Sequence, residues 1–502
     1  MNDVERRRLL PNATLAALQA LMTGAILLLL YRYLLKVIGI EKVGLWSLVL
    51  GATSVANVGQ LGLSGSALRF VSKHLAHDAS ERATEALQTA ILSVAVVVGV
   101  IAVLVLPAGK WFLPLLLEGR ALQQGLSLWP YAVLSLWLTS IGGALQSGLD
   151  GCHRADLRSI SVIFASLLHL GAVLPLVHSY GVMGLAYAQI AQGLFVALLN
   201  WYWLRGSLPD LPALPWRWSA LSFRQMWGYG LQLQATNILM MLTGPVVKAL
   251  LVHFGSLATL GYFEMAGRMV TKVREVIVGG AQVVTPYFSK LTETDRKRGL
   301  EAYCLTCRVM AIIALPIIFS VALVSPAMSY VWFGVYEPTF VLYAWLLAGG
   351  YLANVLSAPA FFANLGSGAV RWNTLSHVLL TLLVIGTGWV LGRIWGGDGV
   401  VVAWVGSLGF VALFLVNEHQ RRMGLKYSDI LSGRDAGVIG SNVGFLVTAV
   451  ALGYVLTTSL GVYITAFVQL GILSCSALVI FKVYGVIDVI NKRRRRSVER
   501  VV

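Results

Sequence analysis

Charged side chains inside long apolar segments are the residues of this chain whose types and spacing could do chemistry. Arg32 and Lys248 each sit within such a segment. A third segment carries Glu264, Arg268, Lys272 and Glu275 at spacings i, i+4, i+8 and i+11, which places them on one face of a helix, with Arg274 about one step off it. A cation facing hydrocarbon at mid-bilayer costs roughly 2.5–3.5 kcal/mol, so such groups are expected to face protein or water. Arginine grips an oxyanion in bidentate fashion and lysine as a point charge, so Arg32, Lys248, Arg268, Lys272 and Arg274 together suit a phosphorylated ligand. Glu264 and Glu275 can either neutralise those cations in an internal ladder or exchange protons beside them. Asn57, Gln60, Gln234 and Asn237 are candidate polar lining for the same lumen, although interhelical hydrogen bonding is a common use of such residues.

These charges fall in an internal duplication. Arg32 precedes Gly39 by seven residues, and Lys248 precedes Gly255 by seven. Gly44 precedes Ser72-Lys73 by 28, and Gly261 precedes Ser289-Lys290 by 28. Gly181, Gly184 and Ala188 match Gly396, Gly399 and Ala403, and every offset lies between 215 and 217. A run of matches at nearly constant offset indicates two copies of one unit. Within it Ser47 matches Glu264, Gly51 matches Arg268 and Asn57 matches Arg274, so the second copy carries most of the charge. Two similar membrane halves with cations at matched depth imply transport of something anionic.

The elements that must position these residues are membrane helices. Hydrophobic residues make up 57% of the chain, charged residues only 12%, and the mean hydropathy is +0.77. Apolar runs long enough to span a bilayer recur from end to end. They predict 14 spans, near 11–37, 43–65, 85–108, 126–149, 157–178, 183–203, 225–253, 258–285, 301–324, 339–364, 374–393, 399–416, 437–457 and 461–481. The fold class is an all-α polytopic membrane protein of two parallel six-helix lobes plus two C-terminal helices. The domains expected are 1–203, a Pro-rich linker over 204–224, 225–416, and a C-terminal part over 417–502 with a basic tail.

Lys and Arg total 38 against 22 Asp and Glu. This excess is topological and gives no reason to expect nucleic acid: only Lys42, Lys110, Arg120 and, at the very end of its span, Arg393 fall on the side opposite the N-terminus. By the positive-inside rule both termini are cytoplasmic. MNDVERRRLL reads as a basic lead into an uncleaved first helix. The linker sequence LRGSLPDLPALPWRW carries Pro209, Pro212 and Pro215 and is expected to be extended. The four cysteines predict no disulfide, and Cys304 with Cys307 lacks the second ligand pair of a metal site.

Several function classes are disfavoured. No GxxxxGK[ST] phosphate loop, HExxH or nucleophile-elbow motif occurs. The loops are too short for the external carboxylate-bearing segment of a membrane glycosyltransferase. A non-enzyme with no cofactor and no metal is expected.

Three stretches carry a family resemblance: LLKVIGIEKVGLWSL (34–48), LGLSGSALRFVSKHLA (61–76) and GVMGLAYAQI (181–190). With two parallel lobes and 14 spans, the chain resembles the polysaccharide-transport (Wzx-type) oligosaccharide flippases of the multidrug/oligosaccharidyl-lipid/polysaccharide exporter (MOP) superfamily. The resemblance implies alternating access in a bacterial inner membrane. It implies export of an undecaprenyl-diphosphate-linked oligosaccharide for cell-surface polysaccharide such as O-antigen or exopolysaccharide, driven by an ion gradient. Implied partners are the lipid-linked oligosaccharide, membrane lipids, and a polysaccharide polymerase with other assembly proteins. The alternatives are a peptidoglycan lipid-precursor flippase, whose relatives carry an arginine cluster matched here by Arg32 and Arg268, and a cation-coupled multidrug exporter. Multidrug relatives often place a carboxylate in the first helix, where this chain has Arg32.

Overall fold

A computed structural model describes residues 3–55, 62–282 and 296–430, with the isolated positions 437, 440, 444, 468 and 471. Among the described residues every regular element is helical: α1 (Asp3–Val37), α2 (Ile40–Thr53), α3 (Leu63–Leu75), α4 (Ser80–Phe112), α5 (Gly119–Gly151), α6 (Ala155–Tyr180), α7 (Val182–Ser207), α8 (Ala220–Phe254), α9 (Leu257–Gln282), α10 (Arg296–Phe333), α11 (Pro338–Gly366), α12 (Val370–Met423) and α13 (Tyr427–Ile430). Eight helices among the described residues are long and apolar enough to cross a membrane.

The helices follow the sequence pattern closely, with two differences. The expected second span, 43–65, is two helical segments: α2 stops at Thr53, and α3 starts after Gly62, whose φ of +69° belongs to the left-handed region. The basic stretch after residue 65 is therefore helical to Leu75. The eleventh and twelfth spans run together as α12, broken at Gly396. The last two spans and the basic tail lie outside the described residues, apart from the isolated positions.

The chain divides into two compact units, residues 1–264 with 381–400, and residues 265–380 with 401–502. The division passes through α9 and α12. In the first unit, Ala83, Leu87, Ala90, Val94 and Val98 recur along α4 at three- and four-residue steps and pack with Leu63, Ala67 and Val71 of α3 and Ala144, Leu145 and Leu149 of α5. Elsewhere on α4, Val96, Val100, Val103 and Leu104 are exposed. A large apolar surface of this kind suits hydrocarbon.

The two copies of the Gly-x-x-Gly pattern make the same turn. Gly181 has φ 59°, ψ −134°, and Gly396 has φ 62°, ψ −143°. Three residues on, a Cβ at Gly184 would lie 2.2 Å from the carbonyl oxygen of Leu176, and one at Gly399 would lie 2.0 Å from that of Leu391. Leu176 and Leu391 are themselves 215 apart, so turn and contact repeat together.

The Pro-rich linker is non-helical from Leu208 to Ser219 and is bound along α4. Gln88 Oε1 accepts from the backbone N–H groups of Trp216 (3.1 Å) and Arg217 (3.2 Å), and Thr89 Oγ1 accepts from that of Ser219 (3.1 Å). The Trp218 indole N–H donates to Ser93 Oγ, and the Ser80 hydroxyl donates to the Asp210 carboxylate. The linker turns at Leu208–Leu211 and bends again at 213–214, so it is not extended throughout, and a segment outside helix and sheet leaves N–H groups to be satisfied by other acceptors. Here the polar side chains of α4 supply them.

The second unit packs Tyr303 of α10, Ala360 and Ala363 of α11, Leu415 of α12 and Ile430 of α13. Beside this cluster Asn364 is fully buried and hydrogen-bonded: its Nδ2 donates to Asn373 Oδ1, and its Oδ1 lies 2.9 Å from His419 Nδ1 and accepts from Arg422.

Candidate functional site

Lys248 lies six residues before the end of α8, after Pro245, through which the helix continues. Its side chain reaches α2. A Cβ on Gly51 would be 2.6 Å from Lys248 Cδ, so the missing side chain at Gly51 is the space through which the lysine stem passes. The ammonium donates to Ser47 Oγ at 3.0 Å and to the Ser47 carbonyl at 3.4 Å, and pairs with Glu264 Oε2 at 3.1 Å. An ammonium has three protons, and these three oxygens match them. The lysine is 19% exposed and the glutamate 13%, so the pair is largely withdrawn from its surroundings.

The backbones approach closely in the same place. A Cβ on Gly44 of α2 would meet the Leu257 carbonyl oxygen of α9 at 1.9 Å, and a Cβ on Gly261 of α9 would meet the Ile40 carbonyl oxygen of α2 at 2.6 Å. Ile40 and Leu257, Gly44 and Gly261, and Ser47 and Glu264 are each 217 residues apart. The contact is therefore reciprocal between equivalent positions of the duplication, as at an isologous twofold interface. Lys248 binds both members of the third pair.

Arg32, the match of Lys248, has different surroundings. It is exposed on α1, in a stripe with Leu21, Leu28, Leu29 and Lys36. Beyond Glu264, α9 belongs to the second unit, and its charges are treated differently again. Arg268 is exposed. Lys272 donates to Glu275 at 2.7 Å, both about half exposed. Arg274 Nε donates to Asn354 Oδ1 at 2.7 Å. The structure thus brings together Lys248 with Glu264 in the first unit, and Lys272 with Glu275 in the second. Asn57 and Gln60 lie outside the described residues, as do the side chains of Gln234 and Asn237.

Sequence reasoning missed Ser47 as a ligand of Lys248, although it had matched Ser47 with Glu264. A small polar residue equivalent to a carboxylate, beside a repeat-matched lysine, was the available signal. It also missed Asn354 as the partner of Arg274. Arg308 turns out to donate to the backbone carbonyls of Asp429 and Ile430 at α13.

Comparison with known proteins places this geometry in context. The family of polysaccharide biosynthesis proteins matches residues 71–336, more than half of the chain. No curated protein matches. Among solved structures the chain is similar to an inward-facing multidrug-resistance MATE transporter of the MOP superfamily, with a TM-score of 0.70 at 16% identity over 81% of this chain and 98% of that one. It is also similar to the lipid II flippase MurJ in an inward closed conformation, with a TM-score of 0.71 at 11% identity over 93% and 99%. A third is a MOP-superfamily transporter from Pyrococcus furiosus, described as having a binding pocket of reverse polarity, with a TM-score of 0.60 at 16% identity over 82% and 95%. At such identities these likenesses establish the fold. With the apolar helices, the repeated turn and the family match in hand, the chain is a polytopic membrane protein with the MOP fold and belongs to the polysaccharide biosynthesis protein family.

Proposed function

We propose that this protein is a flippase that moves a lipid-linked oligosaccharide, carried on undecaprenyl diphosphate, across the bacterial cytoplasmic membrane by alternating access. The observation that carries this reading is the match to polysaccharide biosynthesis proteins on a MOP fold. The charge of the candidate site supports an anionic cargo. Arg32, Lys248, Arg268, Lys272 and Arg274 outnumber Glu264 and Glu275 by five to two. Arg32 and Arg268 are exposed and suited to first contact with a diphosphate. The basic loops support cytoplasmic termini. The two repeats, 1–203 and 225–416, are the lobes expected to alternate, joined through 204–224 and followed by 417–502.

The same site offers a source of coupling. A diphosphate arriving at Lys248 or Lys272 competes with the carboxylate already paired to it. A displaced Glu264 or Glu275 is then available to exchange the coupling ion. Substrate loading and ion exchange are thereby linked without a nucleotide site.

Deleting the gene should make lipid-linked oligosaccharide accumulate on the cytoplasmic leaflet, and the wild-type chain should clear it. Arg268→Glu should fail to clear it although the protein is present in the membrane. Unchanged lipid-linked intermediates in the deletion strain would sink the reading. For coupling, Glu264→Gln and Glu275→Gln in proteoliposomes with an imposed pH gradient decide the matter. Retention of full gradient dependence by both variants leaves the carboxylates a structural role only.

A further inference from the structure

We propose that Lys248 is the pin of a latch that ties α2 to α8 and α9, and that this latch must part before the cargo can leave on the outer side. The inference rests on the proposed function for its direction of travel, and on geometry for everything else. Three observations converge on one place. The α2 and α9 backbones approach each other reciprocally at Gly44 and Gly261, with the Ile40 side chain packed over Gly261. The lysine stem from α8 fills the gap left by Gly51 on α2. Its ammonium holds oxygens from both of the other helices, Ser47 on α2 and Glu264 on α9.

The three helices come from both copies of the duplication: α2 from the first, α8 and α9 from the second. A close backbone contact between equivalent glycines is flat and depends on dispersion at short range, so it decays within about an ångström of separation. Such a contact is either made or lost. The ion pair is different. It acts across the contact and is stronger because the pair is shielded from water. Glycine gives closeness and lysine gives the reason to stay closed.

This assigns the two matched cations separate jobs. Lys248 is committed to two helices in the structure, while Arg32 is exposed. The repeat equivalent of Gly51 is Arg268, so α9 does not carry the glycine gap that admits the lysine stem on α2. A diphosphate that draws Glu264 off Lys248 releases one side of the pin and leaves the α2–α9 contact without its ion pair.

The test measures opening without any transport. In a full-length chain with its four cysteines replaced, Ile40→Cys places a thiol where Ile40 packs against Gly261. Labelling by a membrane-impermeant maleimide in intact cells reads whether the crossing parts. Lys248→Met should raise the labelling rate by about tenfold or more, since it removes a shielded ion pair. Gly51→Leu, which evicts the lysine stem but keeps both charges, should raise it as well. The exchange Lys248→Glu with Glu264→Lys should return it toward the parent rate. In the same cysteine-replaced chain Val341→Cys, buried near the outer start of α11 in the other unit, should label equally with and without Lys248→Met, which separates a parted latch from general loosening. Unchanged Ile40→Cys labelling in both Lys248→Met and Gly51→Leu overturns the latch, whatever the cargo proves to be. The flippase reading is decided separately by the lipid-linked intermediates of the deletion strain, and its failure would leave the latch standing.

Discussion

Arg32 and Lys248 occupy equivalent positions in the duplication, and the structure treats them oppositely. Lys248 threads past Gly51 to a hydroxyl, a carbonyl and a carboxylate. Arg32 is exposed on α1 amid leucines. The same contrast runs along α9, where Glu264 is 13% exposed and paired across helices while Glu275 is 51% exposed and paired with Lys272 three residues away. Equivalence in sequence places a charge at a depth. It does not choose the partner, because the partner lies on another helix whose matching residue has changed: glycine at 51 against arginine at 268, serine at 47 against glutamate at 264.

The harshest way to break the comparison is to part the backbones that bring Ser47 and Glu264 within reach of one lysine. Gly44→Val should destabilise the protein by about 3 kcal/mol or more, because its Cβ would overlap the Leu257 carbonyl and a backbone cannot swing aside. Gly24→Ala, with nothing within 4 Å, should change stability by less than about 1 kcal/mol. Thermal unfolding of the purified pair in detergent checks both. Equal midpoints would mean that α2 and α9 do not pack as described.

The next effect compares the two cations directly. Lys248→Met leaves Glu264 without its ammonium in a shielded site and should cost about 2–3 kcal/mol. Arg32→Met removes an exposed charge and should move stability by no more than about 0.5 kcal/mol. On the proposed function, clearance of lipid-linked intermediates should nevertheless fall with Arg32→Met. A stable, fully active Arg32→Met chain would remove Arg32 from the substrate site.

The smallest effect sharpens the contrast between the two ion pairs. A double-mutant cycle on Lys248 and Glu264 should give a coupling of about 1–3 kcal/mol that survives added salt. The same cycle on Lys272 and Glu275 should give about 0.2–0.5 kcal/mol and vanish at high salt, since both groups are half exposed. Similar couplings for the two pairs would erase the distinction.

Much of the fold was legible from hydropathy, because each membrane helix satisfies its own backbone and must be apolar along its length. The tight turn at Gly181 and its copy at Gly396 were legible too, since a positive φ with a close carbonyl three residues on leaves little choice but glycine. The split between α2 and α3 was not, because the run 43–65 carries no charged residue and hydropathy does not register Gly62 as a break. The linker was read as extended, but its binding to Gln88, Thr89 and Ser93 was out of reach, for those residues look like ordinary polar positions on α4.

By itself, then, the sequence determined the class of molecule, the duplication and the set of charges carried by the apolar segments, all of which follow from composition, period and offset along one chain. Only the tertiary structure decided which of those charges are spent on each other. Pairing depends on distances between helices far apart in sequence, and here a single absent side chain, at Gly51, lets Lys248 reach Ser47 and Glu264.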